Sequence, residues 1–364
     1  MNRSFTARFL LICVLLLAVL FTGCSHDANA RKQKYFDSGE DYFAKGKYSE
    51  AAAQYSEAIK IDSNFEQAHY KLGQTYIRLR DLKDASDELN RTIALDPTNY
   101  RAHTDLANLL MASRNPDSLK EAKIQLDLLR AKAPNAPETH QAWATYDSVQ
   151  NDLKSAIAES EQAIALNPNR ADSYLQLALF QLASDLPDQA EASFKKAVEI
   201  DPKAMKSQIA LGSFYYSRNR LPEAEQQFRH AMEVDPKSVA PRTALLRVLM
   251  QEGKRPEAEA FVLKTKKDLS DNPEAYRMLG DFYFATKDLD KASAEYASLY
   301  QDHPNDPVVK RNYIQILILK NRLDEATKLN DEVLKSNPQD SQALAFKGQI
   351  QLRQKQSPAS PISR

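Results

Sequence analysis

Residues 276–304 read YRMLGDFYFATKDLDKASAEYASLYQDHP, and this stretch decides the fold. Its marked residues have the spacing of two consecutive helices: Tyr276, Leu279, Gly280, Tyr283, Ala292, Tyr296 and Pro304. The glycine lets a second helix approach closely, and the alanine fills the facing position without forcing the pair apart. The proline ends the second helix, because it restricts the residue before it and cannot donate a backbone hydrogen bond. The stretch therefore predicts two packed helices.

The same arrangement recurs along the chain with a period of 34 residues. One series consists of alanines, which are separated by 34 residues except for one step of 37: Ala51, Ala85, Ala122, Ala156, Ala190, Ala224, Ala258, Ala292 and Ala326. A second series consists of prolines, with steps of 37, 34, 34, 34, 68 and 34: Pro97, Pro134, Pro168, Pro202, Pro236, Pro304 and Pro338. Both series place three additional residues around residues 115–117. Internal repetition is therefore the organising feature of the chain.

This pattern resembles the tetratricopeptide repeat (TPR) family, whose units place an aromatic-like residue, Leu-Gly, Tyr, Ala, a large apolar residue and Pro at these positions. The resemblance implies an all-α fold, a right-handed superhelical solenoid of antiparallel helix pairs. It predicts nine TPR units over residues 32–340, then an unpaired helix and a disordered tail over residues 341–364. Either the last helix is a cap, or the chain is the front portion of a longer array. The fourth unit departs from the pattern, with Asp147 and Ser160 at aromatic positions.

The N-terminus carries a targeting signal. Arg3 and Arg8 precede an apolar run from Phe9 to Phe21, which is too short for an ordinary membrane-spanning helix and typical of a signal peptide. The sequence FTGC at residues 21–24 resembles the lipobox of bacterial lipoproteins. The resemblance implies a signal peptide over residues 1–23, lipidation of Cys24 and a lipidated tether over residues 24–31. The alternative is an ordinary secretory signal followed by a stray cysteine.

Lipid chains on Cys24 would hold the protein on a membrane surface without spanning the membrane. Ser25, rather than Asp, follows the cysteine. By the sorting rule of bacterial lipoproteins, this residue favours the outer membrane, facing the periplasm. The sequence therefore predicts a lipid-anchored protein of the bacterial cell envelope, with the choice between the inner and outer membrane open.

Composition and motifs argue against several functional classes. Lys+Arg and Asp+Glu both number 49, so the chain has no overall basic field to attract nucleic acid. The two cysteines cannot build a thiolate metal site in the repeats. The sequence contains no Walker loop, dinucleotide fingerprint, H-E-x-x-H motif or nucleophile elbow. We therefore expect no enzyme activity, no cofactor and no small-molecule substrate.

Three histidines, His69, His103 and His140, occupy the same position in successive units. Equivalent positions of neighbouring helix pairs lie about 10 Å apart. Zinc ligands must lie near ~2 Å from one ion. We therefore expect these histidines to pack between helices rather than to bind a metal.

The concave face, formed by the first helices of the units, is the expected binding surface. One position late in the first helix is large and apolar in most units: Phe43, Ile77, Met111, Leu182, Tyr216, Met250, Phe284 and Ile318. These residues predict a groove for an extended or helical apolar segment of a partner. The alternative is that they contact only neighbouring helices. Arg277 and Arg311 either accept an acidic group there or are solvated surface charges.

These features favour a lipid-anchored scaffold for protein–protein interactions that works in export or assembly of surface polysaccharide or protein. A lipoprotein signal followed by many TPR units is similar to the TPR lipoproteins of PEP-CTERM and exopolysaccharide systems. The alternative is an accessory subunit that presents substrates to a separate glycosyltransferase or to secretion or pilus machinery. The sequence does not identify the partner.

Overall fold

The computed structural model describes residues 27–356, which form nineteen helices and no strand. Helix α1 covers residues 27–44. The others are α2 (Tyr48–Ile61), α3 (Glu66–Leu79), α4 (Leu82–Leu95), α5 (Tyr100–Ala112), α6 (Pro116–Lys132), α7 (Pro137–Val149), α8 (Leu153–Leu166), α9 (Ala171–Ala183), α10 (Pro187–Ile200), α11 (Met205–Ser217), α12 (Leu221–Val234), α13 (Ala240–Gln251), α14 (Arg255–Asp268), α15 (Pro273–Ala285), α16 (Leu289–Asp302), α17 (Pro307–Leu319), α18 (Leu323–Ser336) and α19 (Ser341–Gln356). The predicted all-α fold built from helix pairs is confirmed.

Helices α1–α18 form pairs, each consisting of an odd-numbered first helix and the even-numbered second helix that follows it. We call these pairs repeats 1 to 9. The chain divides into two compact blocks, Met1–Ile200 and Asp201–Arg364. The described part of the N-terminal block contains repeats 1–5, and that of the C-terminal block contains repeats 6–9 and α19.

The turn inside every repeat contains one residue in the left-handed backbone region. Two of these residues are glycines, Gly46 and Gly253, and the others are Arg80, Arg114, Asn151, Asp185, Asn219, Lys287 and Asn321. In repeat 2 the N–H of Asp81 donates to the carbonyl of Tyr76 over 3.0 Å, and the N–H of Arg80 donates to that of Ile77 over 3.2 Å. These bonds satisfy the last carbonyls of the first helix and reverse the chain.

Three glycines of the first helices lie against large rings of the second helices. A Cβ atom added to Gly280 would lie 2.6 Å from the Tyr296 ring, and one added to Gly39 would lie 2.5 Å from the Tyr55 ring. Gly212 approaches the Phe228 ring in the same way, at 2.7 Å. The repeated glycine is therefore required because the ring of the second helix occupies the space of its side chain.

Repeat 4 keeps its helix pair although its aromatic positions are replaced. Ser160 is buried and donates to the carbonyl of Ala156 over 2.8 Å. Trp143, the one tryptophan of the chain, donates its ring N–H to the carbonyl of Leu126 over 3.1 Å. Asp147 is half-buried, and burial together with the carboxylates of Glu159 and Asp152 raises its pKa to about 6. The ionised Asp147 carboxylate at this aromatic position therefore lowers the stability of repeat 4.

The three additional residues of repeat 3 lengthen a helix, and one predicted boundary changes in the structure. The three additional residues of repeat 3 lengthen its second helix, α6, to 17 residues, compared with 14 in α4. Residues 27–31, predicted as part of the tether 24–31, belong instead to α1. Ala28, Ala30 and Arg31 favour a helix, and Asp27 forms an ion pair with Arg31 one turn later at 3.8 Å.

The last helix, α19, packs on α17 and α18 through Ala343, Phe346 and Ile350, all of which are buried. Gly348 of α19 has no atom of another helix within 4 Å of its Cβ position. The predicted signal peptide, Cys24 and the tail after residue 356 lie outside the described residues. No helix among residues 27–356 is both long and apolar enough to cross a membrane.

Candidate functional site

The residues predicted for the groove differ in their accessibility. Phe43, Ile77, Leu182, Tyr216 and Phe284 are half-buried on their first helices. Met250, on α13, is 37% exposed.

Met111 and Ile318 are 1% and 2% exposed, so the prediction that they line an open groove is wrong. Met111 lies in a cluster with Leu126 and Trp143. Ile318 is covered because α19 packs beside it, and the Arg353 guanidinium donates to its carbonyl over 2.8 Å. Both side chains therefore stabilise the core.

A groove of about 720 Å³ lies on the first helices of repeats 6–8 in the C-terminal block. We call it the central groove. Its lining consists of Tyr216 from α11, Thr243, Leu246, Arg247, Met250 and Gln251 from α13, and Glu274, Arg277, Met278, Asp281, Phe282 and Ala285 from α15. The structure thus brings together Tyr216, Met250 and Arg277 of the predicted residues. Phe284 is not part of this lining and packs against the core of the C-terminal block.

Polar side chains connect consecutive first helices in the N-terminal block. Lys71 of α3 donates to the Glu40 carboxylate of α1 over 2.8 Å. Gln176 of α9 donates to the Thr145 hydroxyl of α7 over 2.9 Å. Lys71 and Gln176 occupy equivalent positions, and so do their acceptors Glu40 and Thr145. We call this series of contacts the first-helix ladder.

Asp105 occupies in repeat 3 the position that Lys71 occupies in repeat 2. It forms the ladder contact there as an acceptor, whereas Lys71 is a donor. It accepts hydrogen bonds from the Tyr70 hydroxyl at 3.0 Å and from the Gln74 amide at 3.2 Å. Burial raises the pKa of the Asp105 carboxyl, although these two hydrogen bonds oppose the shift. Ala142 occupies this position in repeat 4, so the ladder has no contact between repeats 3 and 4.

The C-terminal block has one ladder contact, between repeats 8 and 9. The Asn312 amide of α17 donates to the Asp281 carboxylate of α15 over 3.2 Å. The Tyr296 hydroxyl reaches the same carboxylate from beneath Gly280, and Asn312 also donates to that hydroxyl over 2.7 Å. The loss of water around Asp281 raises its pKa, while the hydrogen bond from Tyr296 lowers it. The carboxylate is therefore held in place on the concave side of α15.

The ladder is interrupted where the central groove lies. Ala244 and Met278 occupy the ladder position in repeats 7 and 8, and neither side chain can donate a conventional hydrogen bond. Arg247, at the Glu40 position of repeat 7, is exposed and lines the groove. Small and apolar side chains thus replace polar cross-links between α11, α13 and α15. This replacement leaves an apolar concavity that a partner's apolar side chains can fill.

Arg277 lines the central groove but is not the solvated surface charge of the second prediction. Its guanidinium lies 2.7 Å from the Asp306 carboxylate, and the two side chains are only 14% and 10% exposed. Burial alone would raise the pKa of Asp306, but hydrogen bonds from Tyr276 and from the backbone of α17, together with Arg277, hold that pKa below its usual value. Arg277 therefore joins repeat 8 to the start of α17. Arg311, on α17, is half-buried and lies outside the groove lining.

The three aligned histidines connect elements within their own repeats. The His69 ring contacts the Glu88 carboxylate at 2.6 Å and the Ser63 carbonyl at 3.2 Å. The His140 ring makes the equivalent contacts with Glu159 and the Pro134 carbonyl. His103 contacts Gln125 and the Pro97 carbonyl. Each ring therefore joins the turn before its first helix to the second helix of the same repeat. Within residues 27–356, no three His, Cys, Asp or Glu side chains cluster as metal ligands do.

Sequence models of one repeat family match most of the chain. A model described as "TPR repeat" matches residues 39–79. Models described as "Tetratricopeptide repeat" match residues 70–137, 171–204, 215–282 and 283–350. The segment left between 137 and 171 is repeat 4, which carries Asp147 and Ser160 at aromatic positions. No curated protein sequence matches the chain significantly.

Solved structures of other repeat proteins are similar to parts of the chain. PilF of Pseudomonas aeruginosa is 17% identical with a TM-score of 0.44, over 59% of this chain and 97% of PilF. TTC0263, a TPR protein of Thermus thermophilus, is 22% identical with a TM-score of 0.39, over 60% of this chain and 99% of its own. Yeast Tom70 is 16% identical with a TM-score of 0.46, over 90% of this chain and 89% of Tom70.

Proposed function

The chain belongs to the tetratricopeptide repeat family, and on that basis we propose that its central groove binds an apolar segment of another protein. Proteins of this family act as scaffolds for protein–protein interaction. The chain would thus act by binding, with its repeats holding a partner on the concave side of repeats 6–8. One observation supports this site above the others: an apolar groove lies where the first-helix ladder stops, with Ala244 and Met278 at ladder positions and Leu246 and Met250 in the lining.

The chemistry of the groove favours an apolar partner segment. Met250 is exposed, flexible and polarizable, so it adapts to side chains of different shapes. Tyr216 adds rigid aromatic area, whereas Met278 and Phe282 line the groove as largely buried side chains. Removing such surface from water is the main favourable contribution to association. A helix or extended strand of a partner, with apolar residues on one face, would fill this space.

A pair of charge substitutions tests the site. Met250→Glu places a carboxylate in the groove, whereas Leu263→Glu places one on the second helix α14, where Leu263 is 56% exposed. Both residues are exposed, so both variants should keep the wild-type circular dichroism spectrum and melting temperature. Partner capture, measured by crosslinking in intact cells and mass spectrometry, should fall for Met250→Glu only. Equal capture by the two variants would show that the groove does not bind the partner.

We further propose that Cys24 is lipidated and that the protein is held in the bacterial cell envelope, on the outer membrane facing the periplasm. The lipobox-like FTGC sequence at residues 21–24 and Ser25 support this proposal. Cys24→Ser should release the protein from the membrane fraction, because no acyl chain would remain to anchor it. Complete retention of the variant in the membrane fraction would contradict lipid anchoring. A mass shift of the N-terminal peptide gives an independent measurement.

The proposed process is export or assembly of surface polysaccharide or protein. This proposal rests on the combination of a lipoprotein-like signal with many repeats in one chain. Deleting the gene should reduce surface polysaccharide or a surface protein, and the Met250→Glu variant should not restore it. If Met250→Glu restores the surface material to the level reached by Leu263→Glu, the groove is not needed for this process.

A further inference from the structure

We infer that the central groove selects partner segments that carry a carboxylate side chain among apolar residues, and that Arg247 recognises this carboxylate. The inference rests on the proposed function and deepens it, because it assigns the charge of the segment that the groove holds. Arg247 would then be the specificity-determining residue of the site.

The first observation concerns the position of Arg247 in the first-helix ladder. Among the described repeats, three residues at this position are charged: Glu40, Arg247 and Asp281. Glu40 is paired with Lys71 and Asp281 with Asn312, each from the following repeat. In the repeat that follows Arg247, the position of these partners is occupied by Met278. The Met278 side chain supplies no acceptor suited to a guanidinium. Within residues 27–356, the Arg247 side chain forms no hydrogen bond or ion pair.

The second observation concerns the other charges that line the groove. Arg277 is engaged by Asp306, and Asp281 accepts from Tyr296 and Asn312. These two groups are therefore already committed to contacts within the protein. The remaining charges of the lining are those of Arg247 and Glu274, both of them exposed.

The placement of these two charges indicates where the partner's carboxylate binds. Glu274 belongs to repeat 8 and Arg247 to repeat 7. When the two repeats are aligned, Glu274 occupies a position seven residues nearer the start of the first helix than Arg247 does. Seven residues correspond to about 10 Å along a helix. Glu274 thus lies where the first helices begin, and Arg247 lies near their middle, at the repeat position where α15 carries Asp281, whose carboxylate already accepts hydrogen bonds from Tyr296 and Asn312. An acidic side chain next to Arg247 gains a charge-assisted hydrogen bond beside Met250 and Met278, whereas one near Glu274 is repelled.

A peptide-display selection tests this inference. Random peptides fused at their C-termini to a coat protein have no free terminal carboxylate, so any selected acid is a side chain. The library is selected on the full chain, and the enriched peptides are then measured against Arg247→Gln, Arg247→Lys, Met250→Glu and Arg229→Gln. Arg229, on the second helix α12, pairs with Glu225 and is the matched control outside the groove.

We expect the selected peptides to be enriched in Asp or Glu. Their affinity should fall at least about tenfold for Arg247→Gln, equivalent to about 1.4 kcal/mol, and should change little for Arg229→Gln. Arg247→Lys should retain part of the affinity, because the charge remains while the planar fork is lost.

Two results would overturn the inference: peptides without an acidic excess, or acidic peptides that bind Arg247→Gln as well as the wild type. A selection that yields no binding peptide would also overturn it. Failure of the proposed function gives a different pattern, in which Met250→Glu does not weaken any selected peptide. The two failures are therefore distinguishable in one data set.

Discussion

The same substitution at two equivalent glycines should have opposite effects on stability. Gly280 and Gly348 occupy corresponding positions in their first helices. A Cβ at Gly280 would lie 2.6 Å from the Tyr296 ring, whereas a Cβ at Gly348 would meet nothing within 4 Å. Gly280→Ala should therefore destabilise the C-terminal block, and Gly348→Ala should stabilise α19.

The magnitude of each effect follows from two opposing contributions. Alanine is about 1 kcal/mol more favourable than glycine inside a helix, which is the whole effect expected at Gly348. At Gly280 the Tyr296 ring must move, but its hydroxyl is held by Asp281 and Asn312. Overpacking of this kind costs about 3 kcal/mol when the neighbour cannot give way. We therefore expect a net loss of about 2 kcal/mol for Gly280→Ala.

Hydrogen exchange is the appropriate assay, because repeat arrays open locally rather than in one step. Amides of α15 and α16 should exchange about thirtyfold faster in Gly280→Ala, since each 1.4 kcal/mol corresponds to a factor of ten. Amides of α19 should exchange more slowly in Gly348→Ala. If Gly280→Ala exchanges like the wild type, the reasoning about ring and glycine contact is refuted.

Three further predictions concern stability. Arg80→Gly and Lys287→Gly should each raise the free energy of unfolding by about 0.5–1 kcal/mol in urea denaturation, because both residues adopt a left-handed conformation that costs side chains about 1–2 kcal/mol; a loss of stability would contradict the turn geometry. Asp147→Asn should stabilise the N-terminal block above about pH 6 and have little effect below about pH 4. The reason is that the pKa of Asp147 is raised to about 6 in the folded chain, so its ionisation costs stability as pH rises through this window. A pH-independent effect, followed by Trp143 fluorescence, would disprove this cause. Arg277→Met should lower the melting temperature at neutral pH by removing the partner of Asp306, whose pKa is held low; the difference from the wild type should shrink as pH falls and Asp306 is protonated, and a constant difference would point to packing instead.

The repeat architecture could be predicted because it depends on residue size. Ala292 must be small, Gly280 must lack a side chain, and Tyr296 must fill the space between them. The requirement is strictest at the alanine position, which holds Ala in all nine repeats, while the glycine and ring positions vary. The alanine and proline series therefore predicted the helix pairs, and they also located the three additional residues that lengthen α6.

The left-handed turn position could not be read from residue type. Its occupants include Gly46, Arg80, Asn151 and Lys287, which share a backbone conformation and no side-chain property. The turn bonds are made by backbone groups, so the sequence records them weakly. Only the regular distance from the alanine series marks this position.

The first-helix ladder could not be recognised in the sequence, for a different reason. A ladder contact needs a complementary pair, and the pairs differ: Glu40 with Lys71, but Thr145 with Gln176. No single position therefore shows a constant chemistry. Reading the two positions together, 31 residues apart, would have located the ladder contacts and their interruptions, including the one between Arg247 and Met278 at the central groove.

The groove residues were predicted from a single position of the repeat, and that position alone does not determine exposure. Tyr216 and Met250 do line the central groove, but Ile318 at the same position is buried beneath α19. Arg277 was expected either to accept an acidic group or to be a solvated surface charge, and its pairing with Asp306 depends on a residue in the following turn. Exposure at this position is thus set by which neighbour packs beside each repeat.

Site-specific photocrosslinking tests the central claim most directly, namely that a partner protein occupies the groove of repeats 6–8. A photoreactive amino acid is placed at Met250 in the groove or at Leu263 on α14, both exposed apolar positions of repeat 7. After irradiation of intact cells, the account predicts a crosslinked partner from position 250 and none from position 263. Crosslinks of equal yield from both positions, or from position 263 alone, would contradict it.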